Sequence, residues 1–309
     1  MEKKTDMVTI LGSTATGKTR LAVLLADKTG GEVLSADSRQ VYRGMDIGTG
    51  KDLKDFIVNG RQIPLHLTDI AEPGTEYNVF AFQRDFLRVY NDIKRRGHLP
   101  VLCGGTGLYI EAVLNGYKLQ QVPEDTDLRR KLGQLSENKL IDILKSYGPL
   151  HNTTDITDRQ RTIRAIEIKA FQRKHPAKEK LPEIRSVNFG ISFPREQVRQ
   201  RITQRLKTRL ENGMVEEVRH LLNSGLKPEQ LIFYGLEYRY ITLYLTGEIG
   251  YDEMFSLLNT AIHQFSKRQM TWFRRMEKRG IVIHWIDGNL PDTEKVNTCL
   301  EILKKEKNE

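Results

Sequence analysis

A chain of 309 residues with 39% hydrophobic and 29% charged content describes a soluble globular protein with room for one large core or two modest ones. Two cysteines, Cys103 and Cys299, exclude a disulfide framework and an all-cysteine zinc site, and no run of about 18 apolar residues offers a membrane span. The net charge of +9 favours a polyanionic partner, with Lys and Arg crowded into 195–220 and 263–279 and acid into 120–128.

The start, "MEKKTDMVTILG", runs into a strand without an apolar signal segment, so a cytoplasmic protein is expected. "MVTILG" (7–12) reads as a buried strand, and 19–28 as a helix by the spacing of Leu21, Leu24 and Leu25. "EVLSAD" (32–37) is a second strand, followed by a helix over 78–96 and a third strand, "LPVLCGG" (99–105). Helical stretches near 126–147 and 157–173 precede a fourth strand over 187–192. A long helical span, 193–280, precedes a fifth over 281–286. Strands alternating with helices predict an α/β fold, a five-stranded parallel sheet covered by helices on both faces, of the P-loop NTPase-like kind. The division expected is a P-loop core over 1–195 with a helical excursion at about 118–180, an inserted mainly helical subdomain over 196–262, and a return to the core over 263–309.

"GSTATGKT" matches the phosphate-loop pattern and lies between a strand and a helix, the context that pattern requires. Its residues Gly12, Ser13, Thr14, Ala15, Thr16 and Gly17 wrap backbone N–H groups around an anion; Lys18 reaches the terminal oxygens, and the Thr19 hydroxyl is a magnesium ligand. The pattern specifies a diphosphate or triphosphate, not ATP. A nucleotide hydrolase carries an acid at the end of a neighbouring strand to hold magnesium; here the third strand ends "VLCGGTG". The acid at a strand end is Asp37, on the rim where parallel sheets bind ligands. It is either a turn cap or a general base aimed at a nucleophile opposite the phosphates. The pair Lys18 and Asp37 suggests group transfer from a diphosphate donor.

"GSTATGKT", "SADSRQVYRGMDIGTGK", "GGTGLYIEAVLNG", "DRQRTIRAIEI" and "KRQMTWFR" together resemble the successive motifs of the tRNA dimethylallyltransferases, or tRNA isopentenyltransferases, in family order. The resemblance implies a prenyltransferase that moves the dimethylallyl group of dimethylallyl diphosphate to N6 of adenosine 37, in tRNAs reading codons that begin with U. It implies Mg²⁺ as cofactor, the anticodon stem-loop of tRNA as partner, and a monomer of the bacterial form, which lacks a C-terminal zinc finger. By the same resemblance Asp37, Thr106 and Lys18 are catalytic, Thr19 is the metal ligand, and Arg205 reaches the diphosphate. The tRNA contacts implied are Asp37, Ser38, Arg39, Gln40, Thr106, Arg129, the stretch Gln160, Arg161, Thr162, Ile163 and Arg164, and Lys267, Arg268 and Arg274.

Blander readings stand beside these. Thr106 is also a natural N-cap, the basic helix faces also suit plain solvation, and Trp272 and Phe273 also suit a core. The chain departs from the family at "FYGLEYRY", where Tyr234 replaces the usual Arg and Glu237 the usual Gly, so a tRNA contact at Tyr234 is in doubt. A nucleoside or small-metabolite kinase, a prenyltransferase acting on free AMP, and a non-enzymatic tRNA-binding protein are the competing functions.

Overall fold

The computed structural model of the protein describes residues 5–148, 150, 156, 158–176 and 182–308. They form two compact units, one from Met1–Gly116 and Glu183–Glu309, the other from Tyr117–Pro182.

The first unit begins with β1 (Met7–Leu11), α1 (Lys18–Thr29) and β2 (Glu32–Ser35). Gly30 ends α1 in the left-handed region, its N–H donating to the Ala26 carbonyl. A hairpin follows, β3 (Ile57–Val58) against β4 (Arg61–Gln62), turned at Asn59 and Gly60, both with positive φ. Then come β5 (Leu65–His66), α2 (Val79–Arg95) with Asn78 as its side-chain cap, β6 (Pro100–Gly104) and α3 (Gly107–Leu114).

The second unit holds α4 (Thr126–Gly133), α5 (Glu137–Ser146) and α6 (Arg159–Lys174), packed around Leu132, Leu140, Leu144, Ile163 and Ile166. The single helical stretch expected near 126–147 is thus broken at 134–136; the residue 157 that opened the next expected helix lies outside the described residues.

The chain returns to the first unit as β7 (Ser186–Ser192), α7 (Arg195–Glu211), α8 (Met214–Asn223), α9 (Pro228–Phe233), α10 (Leu236–Leu245), the 28-residue α11 (Tyr251–Lys278), β8 (His284–Asp287) and α12 (Asp292–Asn308).

The sheet has the order β5-β2-β6-β1-β7-β8 and every neighbour pair is parallel. Its strands are near-continuous apolar runs because both faces are covered. One core, with Leu25, Val33, Val101 and Phe189, includes residues of α1 and α12; the other, with Leu34, Phe82, Phe86 and Leu102, includes residues of α2, α3 and α11. A third cluster joins α7–α10 and the first half of α11 to Val41, Tyr42 and Met45 of the segment after β2.

The five-stranded expectation is corrected to six. β5 has only two residues, too few to carry a period, and it adds to the edge of β2. β8 starts at His284 rather than 281, where its pairing with Phe189 of β7 begins. Among the described residues no helix is long and apolar enough to cross a membrane. Strands β1, β2 and β6 lie side by side, and their carboxyl ends deliver Lys18, Asp37 and Thr106 to one edge, where open α/β sheets bind ligands.

Candidate active site

The loop after β1 closes by placing Ala15 at φ 64° and Gly17 at φ 80°. Left-handed residues turn successive N–H groups toward a common centre, as an anion requires. The Thr16 hydroxyl ties back to the Ser13 carbonyl at 2.9 Å, and Arg201 Nε donates to the Ala15 carbonyl at 2.8 Å. Arg205 of α7 donates to the Thr14 hydroxyl. Lys18, Thr19, Thr14 and Arg205 line the same cleft as Asp37.

Burial lowers the Lys18 ammonium below its ordinary pKa, and nearby Arg205 and Arg209 push the same way against Cys103 and Asp37. Burial also brings the Arg205 guanidinium down to about 10, with Arg209 adding to it. Crowded, desolvated cations of this kind are stabilised by an anion between them. The thiol of Cys103, on the cleft floor, is pushed up to about 12 by burial and stays neutral there.

Asp37 stands two residues past β2, and its Oδ1 accepts the N–H of Arg39 at 2.9 Å, an Asx turn. Both readings of this residue therefore meet in one place: one oxygen shapes the turn while the carboxylate lines the cleft. Thr106 occupies the N-cap position of α3, yet its hydroxyl makes no capping bond. It accepts the N–H of Ser38 at 3.0 Å instead, joining the β6 turn to the segment carrying Asp37.

That segment, residues 38–51, is fixed by three side chains. Gln40 accepts from the Ser35 hydroxyl at 2.8 Å and donates to the Gly50 carbonyl at 3.0 Å. Lys51, fully buried, gives its ammonium to the Tyr42 carbonyl and to the carboxylates of Asp46 and Asp69. It is spent on the fold rather than on a ligand. Glu217 of α8 accepts the N–H groups of Asp46, Ile47 and Gly48 at 2.9, 2.7 and 3.0 Å, together with the Tyr238 hydroxyl at 2.7 Å. Gly50 sits so close to Arg209 that a Cβ would lie 2.2 Å from its guanidinium, at a φ of 70°.

Sequence reasoning missed Glu217, Arg209 and Gln269. Gln269 is buried on α11, accepting the Thr14 N–H at 2.8 Å and donating to the Gly105 carbonyl at 2.9 Å. Its only signal was an uncharged amide inside the basic "KRQMTWFR" run.

On α11, Lys267, Arg268 and Arg274 are exposed. Phe273 is fully buried and Trp272 packs against the same core, which is the structural role the aromatics also suited. Arg275 stacks on Trp272 at 3.9 Å and pairs with buried Glu111, as does Arg279.

In the second unit, Gln160 and Arg161 are exposed, while Thr162 and Ile163 face inward. Arg129 and Arg164 both pair with the buried carboxylate of Glu167. Burial pushes the Glu167 carboxyl up, but hydrogen bonds from Arg129, the Asp125 N–H and Arg164, with the Arg164 charge beside it, together hold it below the usual carboxylate range. Tyr234 is buried, its hydroxyl accepting the Gly74 N–H at 2.6 Å and donating to the Thr75 carbonyl at 3.1 Å.

A family model described as IPP transferase matches residues 40–276. The tRNA dimethylallyltransferase 2 of Bacteroides fragilis is 57% identical over 97% of this chain and 98% of its own length. The tRNA dimethylallyltransferase 1 of Parabacteroides distasonis is 56% identical over 98% of this chain and 99% of its own. Among solved structures, the full-length tRNA isopentenylpyrophosphate transferase of Bacillus halodurans superposes with a TM-score of 0.70 at 30% identity, covering 99% of each chain. With the family model matched over residues 40–276 and relatives more than half identical along nearly the whole length, and with Lys18, Arg205 and Asp37 lining one cleft, the chain belongs to the IPP transferases.

Proposed function

We propose that this protein transfers the dimethylallyl group of dimethylallyl diphosphate to N6 of adenosine 37, in tRNAs reading codons that begin with U. The observation that carries the reading is the common cleft shared by Lys18, Arg205 and Asp37. The phosphate loop holds the diphosphate, and Asp37 faces the incoming amine.

The lone pair of N6 forms the new bond to the allylic carbon. The C–O bond breaks and its electron pair leaves with diphosphate, while the N6 proton passes to a carboxylate oxygen of Asp37. Lys18 and Arg205 stabilise the charge that grows on the departing diphosphate. Thr106, bonded to Ser38, seats the adenosine beside Asp37.

Magnesium fits this donor set. Among the described residues no cluster of three or more His, Cys, Asp or Glu side chains forms a protein cage, whereas the Thr19 hydroxyl lines the cleft where diphosphate oxygens would complete a magnesium shell. Thr19 would hold the ion, which when bound would supply charge neutralisation on the leaving group.

We assign the tRNA contacts to Ser38, Arg39 and Gln40 beside the base, to Lys267, Arg268 and Arg274 on α11, and to Arg129, Gln160, Arg161 and Arg164 in the second unit; Thr162 and Ile163, expected among them, are buried in that unit's core instead. The helices of 196–262 serve as the RNA-holding subdomain. The enzyme acts as a cytoplasmic monomer. Incubation with dimethylallyl diphosphate, Mg²⁺ and bulk tRNA, followed by nucleoside analysis, tests the reading. Dimethylallyladenosine is the expected product; its absence, or phosphate release from ATP stimulated by a nucleoside, would overturn it.

A further inference from the structure

Phe233 is the last residue of α9 and one of the most exposed large apolar side chains among the described residues, at 61%. Its neighbours show that this exposure is not slack. Leu231, two residues earlier, is fully buried, and Tyr234 is held by its two hydroxyl hydrogen bonds and by an edge-on contact with Tyr42 at 4.5 Å between ring centres. The backbone on both sides of the Phe233 ring is therefore anchored while the ring itself stands in water. Folding gains little from it there, because burial of the ring is what would stabilise.

The guanidinium of Arg39 lies over this ring, 5.6 Å from its centre. Arg39 is itself two residues past Asp37 and gives its backbone N–H to the Asp37 carboxylate at 2.9 Å. A Cβ added at Gly235, next along from Tyr234, would meet the Arg39 side chain at 3.8 Å, so that side chain also passes close to the backbone after Tyr234. An exposed aromatic face and a half-buried guanidinium are thus joined, and the pair is tethered directly to the carboxylate of the cleft.

A π-face beside a delocalised cation suits one ligand chemistry above others: a flat, electron-rich ring carried on a phosphate chain. Bases in RNA loops are unstacked and able to lie on such surfaces. We propose that Phe233 and Arg39 form a stacking platform for the unpaired nucleobase that flanks the target adenosine, and that this base sets the RNA in register with Asp37. The platform rests on the tRNA substrate proposed above. It also gives the segment around Tyr234 a part in binding: Tyr234 faces inward and anchors, and the adjacent residue does the contacting.

Phe233→Ala and Phe233→Trp test this with an anticodon stem-loop RNA. The RNA carries 2-aminopurine at the position before or after the target. Stacking on the platform quenches its fluorescence in the wild type. Phe233→Ala should lose the quenching at one of the two positions and raise the KM for the RNA on the order of tenfold. The KM for dimethylallyl diphosphate should be unchanged, and Phe233→Trp should restore both RNA readouts because it keeps a π-face. Thermal melts of both variants confirm folding, which an exposed side chain should not disturb. Unaltered quenching and KM in Phe233→Ala overturn the platform. So does a wild type that is dimeric and becomes monomeric in Phe233→Ala with its RNA KM intact, because the ring then covers another protein. A wild type that leaves the RNA unmodified but shows Phe233-dependent quenching would sink the transfer reaction and leave the platform standing.

Discussion

The side-chain carbonyl of Gln269 accepts the backbone N–H of Thr14 at 2.8 Å, across 255 residues of sequence. The amide nitrogen of the same side chain donates to the Gly105 carbonyl at 2.9 Å. One buried amide therefore locks the phosphate loop to the turn that presents Thr106, and through Thr106 to Ser38 next to Asp37. Gln269→Leu removes both bonds and leaves the buried Gly105 carbonyl without this partner, at about 1–3 kcal/mol, and the partly buried Thr14 N–H without its own at less. The KM for dimethylallyl diphosphate should rise and kcat fall together, with the Kd for tRNA little changed. Equal kinetics in the variant would show that the loop holds its shape without α11.

Asp37→Ala should abolish transfer and spare RNA binding, since a general base acts on the transition state rather than on docking. Loss of such a base costs about 10²–10⁴ in rate. Asp37 also closes the Asx turn at Arg39, so Asp37→Asn is the sharper variant: its side-chain oxygen can still accept that bond while its basicity is gone. Single-turnover measurements with saturating substrates distinguish the two roles. A rate for Asp37→Asn near that of the wild type would reduce Asp37 to a turn residue.

Inorganic diphosphate with Mg²⁺ should bind the phosphate loop without any RNA, competitively with dimethylallyl diphosphate. A ligand at 100 times its Kd stabilises the fold by about 2.7 kcal/mol, a shift that a thermal melt reads. Lys18→Ala should lose both the inhibition and the thermal shift. It should itself be no less stable than the wild type, because it removes a desolvated cation crowded by Arg205 and Arg209. A thermal shift by diphosphate that survives in Lys18→Ala would move the anion site elsewhere.

The parts of the site legible in the sequence are those encoded locally. The strands β1, β2, β6 and β7 are apolar runs because both sheet faces are covered, and a run is visible without knowing its partners. The phosphate loop is visible because its glycine and its lysine are needed within a few residues of each other. What stayed hidden depends on contacts between distant segments. Gln269 meets Thr14, and Glu217 of α8 collects three N–H groups from residues 46–48; neither contact has a period or a motif. Two-residue strands such as β5 carry no pattern at all. For Thr106 the cap position was legible, and the acceptor role toward Ser38 was not, because that depends on how β2 and β6 lie together.

Glu237 gives the protein a pH dependence with a definite sign. Burial raises its carboxyl above the ordinary value of 4.5, and Asp37 adds to this, while a hydrogen bond from its own backbone N–H and the charges of Arg209 and Arg205 pull it down. A raised folded-state pKa means that the native state binds the proton more tightly than the unfolded chain. Stability from this group is then complete below about pH 4.5 and is lost as pH rises through the folded value. Glu237→Gln removes the slope. Melting temperatures should match the wild type near pH 4 and exceed it at pH 7. A variant less stable than the wild type at pH 7 would mean that the arginines, not burial, govern this carboxylate.

The exposed basic side of α11 is open to a test that reads charge directly. Lys267 and Arg268 are both exposed, whereas Gln269 and Phe273 of the same helix are buried. Each phosphate that a lysine or arginine neutralises releases condensed counterions, so log Kd changes with log salt by roughly one unit per contact, less for single strands. Replacing Lys267 and Arg268 together with alanine should therefore shallow the salt dependence of tRNA binding by about two units and raise the KM for tRNA. The KM for dimethylallyl diphosphate should hardly move, because neither residue lines the cleft around Lys18. Arg275 serves as the control for charge that is already engaged. It pairs with Glu111 and stacks on Trp272, so Arg275→Gln should lower stability and leave the salt slope alone. A double variant with an unchanged slope would make Lys267 and Arg268 ordinary solvated surface, and the RNA would then have to be held by the other basic segments.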